Sequence, residues 1–106
     1  MGEKVFYGKG IRRIKNEDPE LYESIENLDK NVWNASVLDY RTQKLIAIAI
    51  SATNNESSSF LKQLSKAKKE LDISSEEIMD VLKVVLLTSG MIPFNHALEA
   101  VNKLYD

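Results

Sequence analysis

The chain has 106 residues, 43% hydrophobic and 28% charged, with a formal charge of −2, a balance expected of one soluble globular domain. It contains no cysteine and one histidine, which excludes disulfides and thiol redox chemistry and leaves a zinc or haem site unexpected. The longest aliphatic run, Leu45 to Ile50, is far short of the ~20 residues a membrane-spanning helix needs, and the opening MGEKVF has no apolar signal core. A cytoplasmic protein with no membrane partner is expected.

The first strong helix signal is Asp18-Pro19-Glu20. Asp can accept from free backbone N–H groups at a helix start, and Pro suits the first helical position. Leu21, Tyr22, Ile25, Leu28, Val32 and Trp33 then recur at helical spacing as one apolar stripe. Lys30 to Ser36, with Asn31 and Asn34 as helix enders, reads as a connection. Residues 1–17 read as an N-terminal arm.

Asp39 can cap a second helix that begins around Tyr40 and runs through TQKLIAIAISAT. The alternation of Ile46, Ile48 and Ile50 with alanines also fits a buried strand. Helix is favoured because Ala is a strong helix former, a cap precedes the run and no turn residue interrupts it. Such a helix, apolar all round, belongs in the middle of a bundle or at an interface.

Asn54-Asn55 reads as a break, and Ser57-Ser58-Ser59 as either a short loop or the capping region of the next helix. That helix carries Phe60, Leu61, Leu64, Ala67 and Leu71 on one side and Lys62, Lys66 and Lys69 on another. Ser74 and Glu77 match a capping box, in which each residue satisfies a free N–H near the other. Ile78, Val81, Leu82, Val85 and Leu86 follow at helical spacing until Gly90. Pro93 opens a last helix with Phe94, Ala97, Leu98, Val101 and Leu104. The expected fold is all-α, a single-domain helical bundle of about five helices over residues 1–106.

Charge is distributed in blocks: +4 over residues 1–15, −6 over 16–29, +5 over 30–69 and −5 over 70–106. Such blocks complement each other within a fold or across a subunit interface, or they are solvated helix faces. Lys62, Lys66, Lys68 and Lys69 form a basic stripe able to touch phosphates, but the negative net charge and the lack of interleaved aromatics argue against a nucleic-acid partner. His96 is the side chain that titrates near neutrality, and its place just past Pro93 puts it at a helix start, as a neutral general base or as an interface or capping residue. Glu56 and Ser59, with the neighbouring serines, could bind a polar ligand or simply form a helix cap.

The order of these signals carries a resemblance. LDYRTQKLIAIAIS (residues 38–51), followed by a polar helix and then SSEEIMDVL (74–82) and SGMIP (89–93), resembles the carboxymuconolactone decarboxylase family, which includes the alkylhydroperoxidase D proteins. The likeness covers roughly residues 18–104. It implies the all-α fold, a homo-oligomer (trimer or hexamer), no bound cofactor, and a site between subunits for a small molecule. In the family's peroxidase branch a Cys-x-x-Cys pair is followed four residues on by His and preceded by Glu. Matching from the preceding helix puts these places at Glu56, Ser59, Gln63 and Lys44; matching from the capping box shifts the pair and the His to Ser57, Phe60 and Leu64. The decarboxylase branch uses a His where Gln63 or Leu64 stands. Neither register holds a Cys or a His, and a Ser hydroxyl with no base beside it is a far poorer nucleophile.

The expected function is that of a divergent carboxymuconolactone decarboxylase-like protein. The resemblance links it to peroxide detoxification or lactone decarboxylation, yet the thiol relay is missing. The expected ligand-binding residues are Glu56, Ser59, Gln63 and His96, with His96 the one candidate for catalysis. The alternatives are a catalytically inert ligand-binding or assembly subunit and, with least support, a nucleic-acid accessory protein. With no thiol available, the purified protein should reduce no hydroperoxide with a dithiol donor above a heat-treated control; thiol-dependent turnover in metal-free buffer would contradict this reading.

Overall fold

The computed structural model describes residues 8–34, 37–54 and 57–105. Among them are six α-helices and no strand: α1 (Gly8–Glu17), α2 (Pro19–Trp33), α3 (Tyr40–Thr53), α4 (Ser57–Leu71), α5 (Ser75–Ser89) and α6 (Met91–Tyr105). The all-α expectation holds, with one helix more than the periodicity indicated. The extra one is α1, in the segment read as an arm, where Ile11 and Ile14 are too few apolar positions to announce a helix. None of these helices is long and apolar enough to cross a membrane.

The contacts divide the chain into one unit ending at Tyr40 and a second beginning at Arg41. In the first, α1 packs on α2. The Asp18 carboxylate accepts from the Leu21 N–H at 3.2 Å, with Pro19 at the first helical position, so this start forms as the sequence indicates. The helix runs on to Trp33 rather than yielding to a connection at Lys30, because the Trp33 indole N–H donates back one turn to Asp29 at 2.8 Å. The Trp33 ring also meets Tyr40 edge-on, with centroids 5.5 Å apart. The apolar stripe of α2 is not a core face: Leu21, Leu28 and Val32 are all exposed. Ala35 and Ser36 lie outside the described residues.

In the second unit one core gathers Ile48 and Ala52 of α3, Phe60, Leu64 and Ala67 of α4, Ile73, Ile78, Leu82 and Val85 of and before α5, and Ala97, Ala100 and Val101 of α6. α6 packs against both α4 and α5. Residues 45–50 are helical, as the preceding cap and the alanines indicated, but the helix is not buried all round: Ile48 is fully buried whereas Ile46 and Ile50 are exposed. Each fully buried Leu or Ile here contributes roughly 1.5–3 kcal/mol relative to an exposed one.

The helix ends are individually specified. Ser57 to Ser59 form the first turn of α4 rather than a loop, and α4 ends on Asp72, which takes a left-handed conformation (φ 52°) with its N–H on the Lys68 carbonyl. Asp tolerates that region better than most side chains. The capping box of α5 is complete: the Ser74 hydroxyl accepts from the Glu77 N–H at 3.2 Å, and the Glu77 carboxylate accepts from the Ser74 N–H at 2.9 Å. Gly90 closes α5 at φ 96°, where any L side chain would be strained. Pro93 does not open α6 but occupies its third position, still within the first turn, where a helix has no use for the missing N–H. At the far end of α6 the Tyr105 hydroxyl donates to the Ile73 carbonyl at 2.7 Å. Burial and the nearby charges of Glu77 and Asp72 push its pKa up.

Arg41, in the first turn of α3, donates to the Leu71 carbonyl at 2.7 Å and to both Glu77 carboxylate oxygens at 2.6 Å. Those bonds, with the Ser74 N–H, hold the Glu77 carboxyl below the usual glutamate value of 4.5. A carboxyl whose pKa falls on folding stabilises the protein above its unfolded pKa and loses that contribution as pH drops through the folded value. Glu77→Gln keeps a capping side chain but removes the charge. Its deficit in melting temperature should therefore be full at neutral pH and close as pH falls below 4.5; a deficit that stays constant from pH 7 to pH 3 would show that the charge is irrelevant.

Candidate functional site

The buried face of α3 is polar at two of its four positions. Lys44, Ile48, Ser51 and Ala52 turn inward together, with Lys44 fully buried and Ser51 only 9% exposed. The spacing is that of one helical face, and Arg41, three residues before Lys44, anchors the start of that face through Glu77. Lysine is almost never fully buried, because removing an ammonium from water is costly. Ser51, in the last turns of α3, has its hydroxyl oxygen buried with no hydrogen-bond partner among the described residues.

Helix α4 also brings a polar side chain to the edge of the core. Phe60, Leu64 and Ala67 of α4 fill the core, and Gln63 flanks them, half-buried, with its carboxamide oxygen buried and without a partner among the described residues. Each such oxygen forfeits about 1–3 kcal/mol relative to a satisfied one. The helices that carry Ser51 and Gln63 feed one core, through Ile48 and Ala52 on α3 and Phe60 and Leu64 on α4.

The residues expected to form the site fare differently. Gln63 reaches a buried environment. Ser59, one turn earlier on α4, is exposed. His96 is exposed and is the sixth residue of α6, beyond the first turn, since the helix begins at Met91 rather than at Pro93. Helix-end electrostatics fall off within that first turn. Neither Ser59 nor His96 bonds the Gln63 oxygen. Glu56 lies outside the described residues. No group of three or more His, Asp or Glu side chains is placed to hold a metal ion among the described residues. Sequence reasoning placed Lys44 at a family position without foreseeing its burial, and it passed over Ser51; an inward serine is foreseeable only once Ile48 and Ala52 are known to be the buried positions of that helix.

The basic stripe is partly engaged within the chain. Lys68 lies over the Tyr105 ring at 4.7 Å and donates to the Leu104 carbonyl, and Lys66 pairs with Glu70 at 3.9 Å. Lys62 and Lys69 are exposed.

An all-α chain with the capping box, the Gly90 turn and a polar pair of inward-facing helices matches the carboxymuconolactone decarboxylase family over residues 19–103, and it belongs to that family. Two proteins of Methanocaldococcus jannaschii are similar to it. The uncharacterized protein MJ0742 is 47% identical over 104 residues, 98% of this chain and 100% of that protein. The uncharacterized protein MJ1511 is 37% identical over 91 residues, 86% of this chain and 84% of that protein.

If Ser51 and Gln63 are unpartnered within the fold, replacing them with apolar side chains removes a penalty. Ser51→Ala and Gln63→Leu should each leave stability unchanged or raise it by about 1 kcal/mol, a gain of several degrees in melting temperature for a domain of this size. A loss above 1 kcal/mol in either variant would show that these groups hold the fold together.

Proposed function

We propose that this protein is a divergent member of the carboxymuconolactone decarboxylase family in which the thiol relay has been replaced by a polar binding site, occupied by a small oxygen-rich molecule in a homo-oligomer, trimer or hexamer. The observation that carries this reading is that Ser51 and Gln63 each bury an oxygen with no partner among the described residues, with the buried Lys44 on the same face as Ser51. In the register that runs from the preceding helix, Lys44 and Gln63 stand where the peroxidase branch carries Glu and His. The burial of Phe60 and Leu64 in the core favours that register over the shifted one.

The donor set suggests the ligand's chemistry. A carboxamide oxygen calls for a hydrogen-bond donor, a serine hydroxyl serves either donor or acceptor, and an ammonium suits a carboxylate or a polarised carbonyl. A hydroxy acid or a lactone meets all three. The cysteine-free chain has no group to reduce a peroxide by thiol exchange, and a lactone-directed reaction would need a base, for which His96 is the candidate. The inert binding or assembly subunit is the same site without that base. The nucleic-acid reading has less support, because Lys66 and Lys68 are engaged within the chain.

A thermal-shift screen of lactones, hydroxy acids and hydroperoxides tests the proposal. At least one lactone or hydroxy acid should raise the melting temperature of the wild type and leave Gln63→Leu unmoved. Shifts retained in both Gln63→Leu and Ser51→Ala would overturn it. Should a bound lactone also turn over, His96→Gln is expected to slow the reaction by roughly 10²-fold if His96 is the base, and an unchanged rate assigns His96 to packing.

A further inference from the structure

At the corner between α5 and α6 four large apolar side chains are exposed within nine residues. Val84 is 58% exposed, Leu87 87%, Met91 63% and Ile92 67%. Val84 and Leu87 lie in the last two turns of α5 and Met91 and Ile92 in the first turn of α6, so all four gather at the same end of this packed helix pair. Around them the sequence is bare of charge: residues 84–98, VVLLTSGMIPFNHAL, contain no Asp, Glu, Lys or Arg. In a chain that is 28% charged, the exposed members of this run form an uncharged patch, although Val85 and Ala97 within it belong to the core. Its two borders have opposite sign, Lys83 on α5 and Glu99 on α6, both exposed. Lys83 also reaches Asp80 on its own helix at 3.3 Å.

We infer that this corner is a two-fold contact between copies of the chain, in which the apolar residues pack on their counterparts and the Lys83 border of each copy faces the Glu99 border of the other. The assignment deepens the self-association proposed above and rests on it; of the two states named there, a two-fold contact fits the hexamer and not a cyclic trimer. A two-fold contact places the same patch on both sides, so each charge meets whatever the symmetry puts opposite it. An uncharged centre avoids like charges at the axis. Borders of opposite sign, one on each helix of the hairpin, become complementary when α5 of one copy lies over α6 of the other. A partner recognised by charge would instead need a centre of one sign, and this centre has none. The arrangement also matches the usual layout of stable interfaces, with apolar anchors inside and polar groups at the rim.

Sedimentation velocity of the full chain at micromolar concentrations, with melting temperature as the folding control, tests the contact. Leu87→Glu buries an unpaired charge only if the contact forms, so it should weaken self-association by on the order of 100-fold without lowering the melting temperature of the monomer. Lys83→Glu and Glu99→Lys should each weaken it by roughly tenfold, because each sets like charges opposite each other twice per pair. Mixing the two single variants should restore association, since every border then meets its opposite. Only contact between copies gives that rescue. A wild type that sediments as a 12.0 kDa monomer would overturn both the self-association and this face. An oligomer indifferent to Leu87→Glu, or one in which the mixture is no stronger than either variant alone, would overturn the face and leave self-association standing.

Discussion

The Glu77 carboxylate ties three helices of the second unit together. It accepts from the backbone N–H of Ser74, completing the cap of α5, and from the guanidinium of Arg41 at the start of α3; the same guanidinium reaches the Leu71 carbonyl at the end of α4. A planar guanidinium offers donors in a fixed fork, so Arg41 can satisfy a carboxylate and a carbonyl at once where a lysine would serve as a point charge. Arg41 precedes the face of α3 that turns inward, at Lys44, Ile48, Ser51 and Ala52, and the neighbouring Ile46 and Ile50 are left outside. A largely apolar helix thus presents polar groups to the core, against the usual hydrophobic bookkeeping.

That inversion is what gives the site its character. A core that accepts an unpartnered serine and glutamine forgoes stability unless something else meets those oxygens. In family members that run a thiol relay the same helices carry the reacting groups. Here the chain has no cysteine to react, while polarity persists at Lys44 and Gln63. In the proposed function binding is favoured over catalysis, because binding needs only donors and acceptors in a sheltered place whereas turnover needs a group that moves a proton.

Much of the fold was legible because its signals are local. Asp18-Pro19, Ser74 with Glu77, and Gly90 each announce a helix end through backbone hydrogen bonds that the neighbouring residues themselves supply. The alanines around Ile48 decided helix over strand for the same reason. The differences have both local and distant causes. The α2 stripe is apolar by periodicity, yet Leu21, Leu28 and Val32 are exposed, since periodicity reports that a face is apolar and not what covers it. Lys30 looked like the start of a connection until the bond from Trp33 to Asp29 carried the helix on. His96 looked like a helix-start residue because Pro93 was taken for the first helical position, whereas Pro fits anywhere in the first turn. The inward turn of Ser51 was beyond reach, because it depends on which of the apolar positions of α3 are buried, Ile48 and Ala52 rather than Ile46 and Ile50.

In the proposed function the inward polar oxygens of α3 and α4 meet a ligand. A high-resolution crystal structure of the protein with a thermal-shift hit bound would read this out. Ligand density is expected within hydrogen-bonding distance of Ser51 Oγ and Gln63 Oε1, with Lys44 Nζ turned toward the same molecule. Density elsewhere, with both oxygens bonded to protein groups in a dry core, would contradict it.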